Sequence, residues 1–173
     1  MHASKPMTNL AQIHAMLPKS HLMNIGIDEA RDLAITKVSS DSRKLESGEL
    51  FIALKGDRFD AHHYLSDVHH HGAAAALISD DSSCPKTMPA VYVTDTRESL
   101  GELASAWRKQ YTIPLVVVTG SNGKTTVKEM IASIFKEAAG PSHTLMTEGN
   151  LNNEIGLPLT LLRLRPEHQL AVI

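Results

Sequence analysis

Residues 115–130, LVVVTGSNGKTTVKEM, constrain the fold of this chain more than any other stretch. Leu115, Val116, Val117 and Val118 follow Pro114 and read as a buried strand. A polar knot with two glycines, Gly120 and Gly123, comes next. Val127, Met130, Ile131, Ile134, Phe135 and Ala138 then recur at helical spacing. Strand, glycine turn and helix in this order build parallel sheets. A helix start carries unpaired N–H groups and the positive end of the helix dipole. Glycines let those N–H groups close round an anion with no Cβ in the way. A lysine after the second glycine, Lys124, reaches phosphate oxygens as a point charge, and the hydroxyl of Thr125 can ligate Mg2+. Residues 119–126 therefore read as a phosphate-binding loop. The common loop of this type leaves four residues between its first glycine and the Gly-Lys pair, and that position here is Val118. The loop is shorter, which argues against generic kinases and GTPases.

The remaining pattern extends the alternation. A helix is expected over 8–17, strands over 35–38 and 49–54, and a helix over 64–71 closed by Gly72. Residues 73–78 read as a buried strand, 79–89 (SDDSSCPKTMP) as a linker, and 91–94 as a strand. Asp95 and Glu98 look like a capping pair. They open a helix whose Leu100, Leu103, Ala104, Trp107 and Tyr111 share a face. Gly140 and Pro141 end the helix that follows the loop, and 143–146, 154–164 and 170–173 read as strand, helix and strand. The expected fold class is α/β: a small mixed α/β domain over 1–86, then a P-loop ATPase-type domain with a mostly parallel sheet over 87–173.

Composition narrows the function. Seventeen basic against 19 acidic residues give a net charge of −2, which argues against a nucleic-acid binder driven by phosphate neutralisation. No run of about 18 apolar residues and no signal-peptide pattern is present, so a cytoplasmic protein without a membrane span is expected. The single cysteine, Cys84, excludes an intramolecular disulfide and a cysteine zinc cage. His62, His63, His69, His70 and His71 cluster without a cysteine or carboxylate to complete a metal set, and read as a solvated helix face.

The loop TGSNGKTT resembles the ATP loop of the Mur ligases, ATP-dependent amide-forming enzymes of peptidoglycan synthesis. Three further stretches are similar to that family: residues 39–65 (SSDSRKLESGELFIALKGDRFDAHHYL), 72–78 (GAAAALI) and 148–164 (EGNLNNEIGLPLTLLRL). The triplet Asp60-Ala61-His62 and the run from Asn150 to Asn153 look most like the branch that adds D-Ala-D-Ala. The resemblance implies that the first domain holds the UDP part of UDP-N-acetylmuramoyl-tripeptide through Ser40, Asp41, Ser42 and Arg43. It implies that ATP phosphates lie on Thr119, Gly120, Ser121, Asn122, Gly123, Lys124, Thr125 and Thr126, with Lys124 catalytic and Thr125 on Mg2+. Asn150, Asn152 and Asn153 would line the substrate side.

In that family the strand matching residues 170–173 runs into a metal-binding glutamate, followed by a carbamylated lysine and a third domain. This chain stops at Ile173, so it is expected not to complete the ligase reaction alone. Apolar surface around 116–118 and 171–173 is expected to favour self-association. A non-catalytic module holding the UDP-precursor or another Mur protein, and an unrelated P-loop phosphotransferase, are the rival expectations.

Overall fold

The structure, a computed structural model, describes residues 5–56, 59–149 and 153–173. The chain forms two compact units, Met1–Leu103 and Ala104–Ile173. In the first, β1 (Thr8–Asn9) leads into α1 (Leu10–Ala15), then β2 (His21–Met23), α2 (Ile27–Asp32), β3 (Ala34–Ile35), β4 (Val38–Ser39) and β5 (Leu50–Ile52). The hairpin of β6 (Lys55–Gly56) and β7 (Phe59–Asp60), then α3 (Leu65–His70), β8 (Ala75–Ile78) and β9 (Ala90–Tyr92) follow. The helix α4 (Thr96–Arg108) contains the boundary between the units.

A five-stranded sheet has the order β2-β9-β8-β5-β4. Its last four strands are parallel neighbours, and β2 runs antiparallel on β9. Every residue of β5 and β8 is fully buried, as central strands covered on both faces must be. The expected helix from residue 8 starts at Leu10, because Thr8 and Asn9 pair with β3 and the Asn9 side chain caps the helix by accepting from the Gln12 N–H at 2.9 Å. The expected strand over 35–38 is two strands in different ladders, with Thr36 and Lys37 between them. Gly72 ends α3 as expected, at φ +92°, and a Cβ there would sit 2.9 Å from Ser47 Oγ.

The division between the units falls later than the expected 86/87 boundary. Residues 79–89 have linker composition, yet they form a loop between two parallel strands of one sheet. The Asn24 amide, on a left-handed backbone at φ +59°, donates to Pro85 O at 3.1 Å and Met88 O at 2.9 Å, and Met88 is fully buried. At the start of α4, Asp95 Oδ1 accepts from the N–H groups of Arg97 and Glu98 at 2.8 and 2.9 Å.

The second unit adds β10 (Leu115–Val116), α5 (Lys124–Ala139), β11 (Thr144–Met146), α6 (Gly156–Leu161) and β12 (Leu170–Val172). Its three strands are all parallel, in the order β10-β12-β11. Residues 171–172 therefore lie in the central strand and are buried, contrary to their expected exposure, whereas Val117 beyond β10 is exposed. The apolar positions of α5 divide between two faces. Lys128 and Ala132 are buried with Ile131 and Phe135 half-buried, while Val127, Met130 and Ile134 are exposed.

One histidine departs from the expected solvated cluster. His62 is buried, and its ring bridges Asp60 and Ser79. Nε2 accepts the Ser79 N–H at 2.9 Å, so the ring hydrogen sits on Nδ1, which donates to Asp60 Oδ1 at 2.6 Å. Asp60 also accepts the His62 N–H at 3.0 Å and pairs with Lys55 Nζ at 3.2 Å. Burial pushes the Asp60 carboxyl up, but these hydrogen bonds outweigh it and hold the group down to about 2. A carboxylate depressed in the folded state stabilises it above the unfolded value of about 3.9 and loses that contribution as pH falls toward the folded value. Asp60→Asn should therefore lower the melting temperature at pH 6. The gap from wild type should close between about pH 5 and pH 2 in circular-dichroism melts. A gap independent of pH would contradict this assignment.

Candidate functional site

Beyond β10 the ladder continues by one residue on each side, with Val118 N–H to Ile173 O at 2.8 Å and Ile173 N–H to Val116 O at 2.9 Å. The chain then turns through residues 119–123 into α5. Gly123, the last residue before the helix, has φ +76°, a left-handed conformation that costs a side-chain-bearing residue about 1–2 kcal/mol. No side chain among the described residues caps this helix start and no acid lies in its first turn. A Cβ on Gly123 would meet no atom within 4 Å, so the space over the helix start is open. An uncapped, unobstructed N-terminus leaves its N–H groups and dipole available to an anion.

Thr119, Gly120, Lys124 and Thr125 line a cavity of about 350 Å3, whose apolar wall includes Val117, Leu157 and Ile173. Ser121, Asn122, Gly123 and Thr126 are solvent-exposed and do not line it. Lys124 folds back over the loop, Nζ donating to Gly120 O at 2.5 Å.

Lys128, one helical turn beyond Lys124, is the wall residue that the sequence reading missed. It is buried, and its ammonium reaches three acceptors: Thr147 O at 2.6 Å, Gly149 O at 3.3 Å and Glu129 Oε1 at 3.1 Å. It thereby ties the end of β11 to α5. Its i+4 spacing from Lys124, placing both on one face, was the available signal. Asn150 and Asn152 lie outside the described residues. Asn153 is exposed, and its Oδ1 accepts the N–H groups of Ile155 at 3.3 Å and Gly156 at 2.7 Å, so it caps the turn leading into α6.

Ser40, Asp41, Ser42 and Arg43 come together at the end of β4 and line a separate cavity of about 490 Å3 with Phe59 and Tyr64. Arg43 grips Asp41 with two parallel hydrogen bonds, Nε to Oδ1 at 2.9 Å and Nη2 to Oδ2 at 3.0 Å. These bonds hold the Asp41 carboxyl below its usual range. They use two of the five guanidinium hydrogens, so Arg43, largely exposed, still presents donors outward. Among the described residues no group of three His, Cys, Asp or Glu side chains could hold a metal ion.

Both cavities fall in stretches that match family models. Residues 34–108 match the model described as "Mur ligase family, catalytic domain", and residues 118–173 match "Mur ligase middle domain". The chain belongs to the Mur ligase family. Among curated Mur ligases it is similar to the UDP-N-acetylmuramoyl-tripeptide–D-alanyl-D-alanine ligase of Haemophilus influenzae. The two are 48% identical over 143 residues, 82% of this chain and 31% of that one. Its fold is similar to that of MurF from Acinetobacter baumannii, with a TM-score of 0.82, 37% identity, and coverage of 98% of this chain and 35% of that chain. It is also similar to MurF from Thermotoga maritima solved in complex with ADP, with a TM-score of 0.66, 29% identity, and coverage of 79% and 31%. The chain thus spans about a third of the length of these Mur ligases.

The two lysines of the first cavity should behave oppositely in stability measurements. Lys128→Met keeps the apolar stem but leaves the buried Thr147 carbonyl without its lysine partner, and should lower the unfolding free energy by about 1–3 kcal/mol in urea titrations. Lys124→Met should stay within about 0.5 kcal/mol of wild type. Equal effects would show that burial of Lys128 does not organise this wall.

Proposed function

We propose that this chain is the precursor- and nucleotide-binding part of a cytoplasmic, ATP-dependent Mur ligase that adds D-Ala-D-Ala to UDP-N-acetylmuramoyl-tripeptide. The observation that carries this reading is the open start of α5, with Lys124 and Thr125 facing one cavity, in a chain similar to an ADP-bound MurF. The first unit receives the UDP-precursor at Ser40, Asp41, Ser42 and Arg43, and the second receives ATP on residues 119–126.

In this reading the tripeptide carboxylate attacks the γ-phosphorus of ATP and ADP leaves. The acyl phosphate is then attacked at its carbonyl carbon by the D-Ala-D-Ala amine, phosphate departs and the amide remains. Phosphoryl transfer of this kind depends on positioning and charge neutralisation. Lys124 leaves Gly120 O and pairs with the β and γ oxygens, while the N–H groups at the start of α5 hold the phosphate chain. The Thr125 hydroxyl, with Thr126 beside it, would hold Mg2+, which would neutralise charge on the transferring phosphoryl group. The outward donors of Arg43 suit a diphosphate. By resemblance to the family, Asn150, Asn152 and Asn153 would contact the substrate.

Isothermal titration of this chain with MgADP tests the second unit. Wild type should bind, and Lys124→Met should weaken binding at least about tenfold, consistent with loss of one charge-assisted contact. No binding, or equal binding by the variant, would overturn the phosphate-site assignment.

A further inference from the structure

Phe59 and Tyr64 are large aromatic residues that the first unit leaves on its surface, 53% and 39% exposed. Their rings stack, with centroids 5.8 Å apart and planes 21° from parallel, and both line the cavity formed with Ser40, Asp41, Ser42 and Arg43. Neither belongs to the residues so far assigned to the UDP-precursor.

The backbone that carries the pair is anchored from both sides. Phe59 and Tyr64 flank the segment that Asp60 and His62 lock, where Asp60 accepts from the His62 N–H and ring and His62 accepts from Ser79. The anchored segment carries one ring at each end, so the backbone that presents the two rings is set before any ligand arrives. An exposed apolar ring pair beside polar hydroxyls and an outward guanidinium is suited to a ligand that is flat at one end and anionic at the other.

We infer that Phe59 and Tyr64 form the stacking platform for the uracil ring of the UDP-precursor, with the diphosphate directed toward Arg43. This rests on the proposed UDP reading of the cavity and adds two binding residues to it. The ring supplies the π-face, the platform supplies the apolar partner, and the Ser40 and Ser42 hydroxyls are the neighbouring groups able to bond the ring edge.

The test is titration of the 173-residue chain with UDP, followed by calorimetry and by the proton resonances of uracil H5 and H6. Wild type should bind and shift both resonances upfield, as a ring stacked on aromatics does. Phe59→Leu and Tyr64→Ala should each weaken binding about tenfold, within the range for loss of one base–aromatic stack, and reduce the upfield shift. Because both side chains are exposed, the variants should keep the wild-type circular-dichroism spectrum. Unchanged affinity and shift in both variants, with binding still weakened by Arg43→Ala, would overturn the platform while leaving the UDP site. No UDP binding by wild type would overturn both.

Discussion

Parallel pairing is the constraint on which both sites depend. Strands that run in one direction bring their carboxyl ends to one edge of the sheet, and each must be followed by a loop there before the chain crosses back. In the first sheet the loops after β4, β5 and β8 are the Ser40–Arg43 turn, the β6–β7 hairpin with Phe59, and Ser79. They meet through the cavity at residues 40–43 and the hydrogen bond from Ser79 to His62. In the second sheet the loops after β10 and β11 are the phosphate loop and the segment from Thr147, which share another cavity. Two sites of different chemistry thus arise from one rule of strand direction.

Electrostatics then separates the two lysines of α5. Among the described residues Lys124 has one hydrogen-bond acceptor, a carbonyl of the loop it crosses, and stands at a helix start that favours anions. Lys128 is itself buried and bonds the buried Thr147 carbonyl, with the Gly149 carbonyl and the Glu129 carboxylate completing its acceptors toward the surface. Removing acceptors from a buried ammonium is costly, so Lys128 is fixed where Lys124 is free to exchange its partner for a phosphate. Under the proposed reading the same residue type serves one turn as an anchor and another as a ligand group.

Much of this was legible because it is local chemistry. The strand–glycine–helix unit, the Asp95 cap and the Gly72 stop depend on backbone preferences that a few residues specify, and each is present. Facing was harder to read. Periodicity groups Val127, Met130 and Ile134 on one stripe, but it cannot tell which stripe meets the sheet, and the sheet side of α5 carries Lys128 and Ala132. Composition also misled at 79–89, where Ser, Asp and Pro suggest a linker. Asn24, more than fifty residues earlier, clamps that loop between two strands. His62 escaped notice for a similar reason: its burial depends on Ser79, 17 residues away.

Trp107 gives the molecule an optical asymmetry. It is the single tryptophan, it is 4% exposed, its indole N–H donates to Leu164 O at 3.2 Å, and its ring packs on Tyr111 at 5.6 Å. All of these partners belong to the second unit. The indole emission therefore follows the surroundings of Trp107 in that unit, while the first unit, which has no tryptophan, adds no tryptophan signal on excitation at the red edge of the ultraviolet indole band. Fluorescence and far-ultraviolet ellipticity recorded on one sample would separate the two unfolding events without any label.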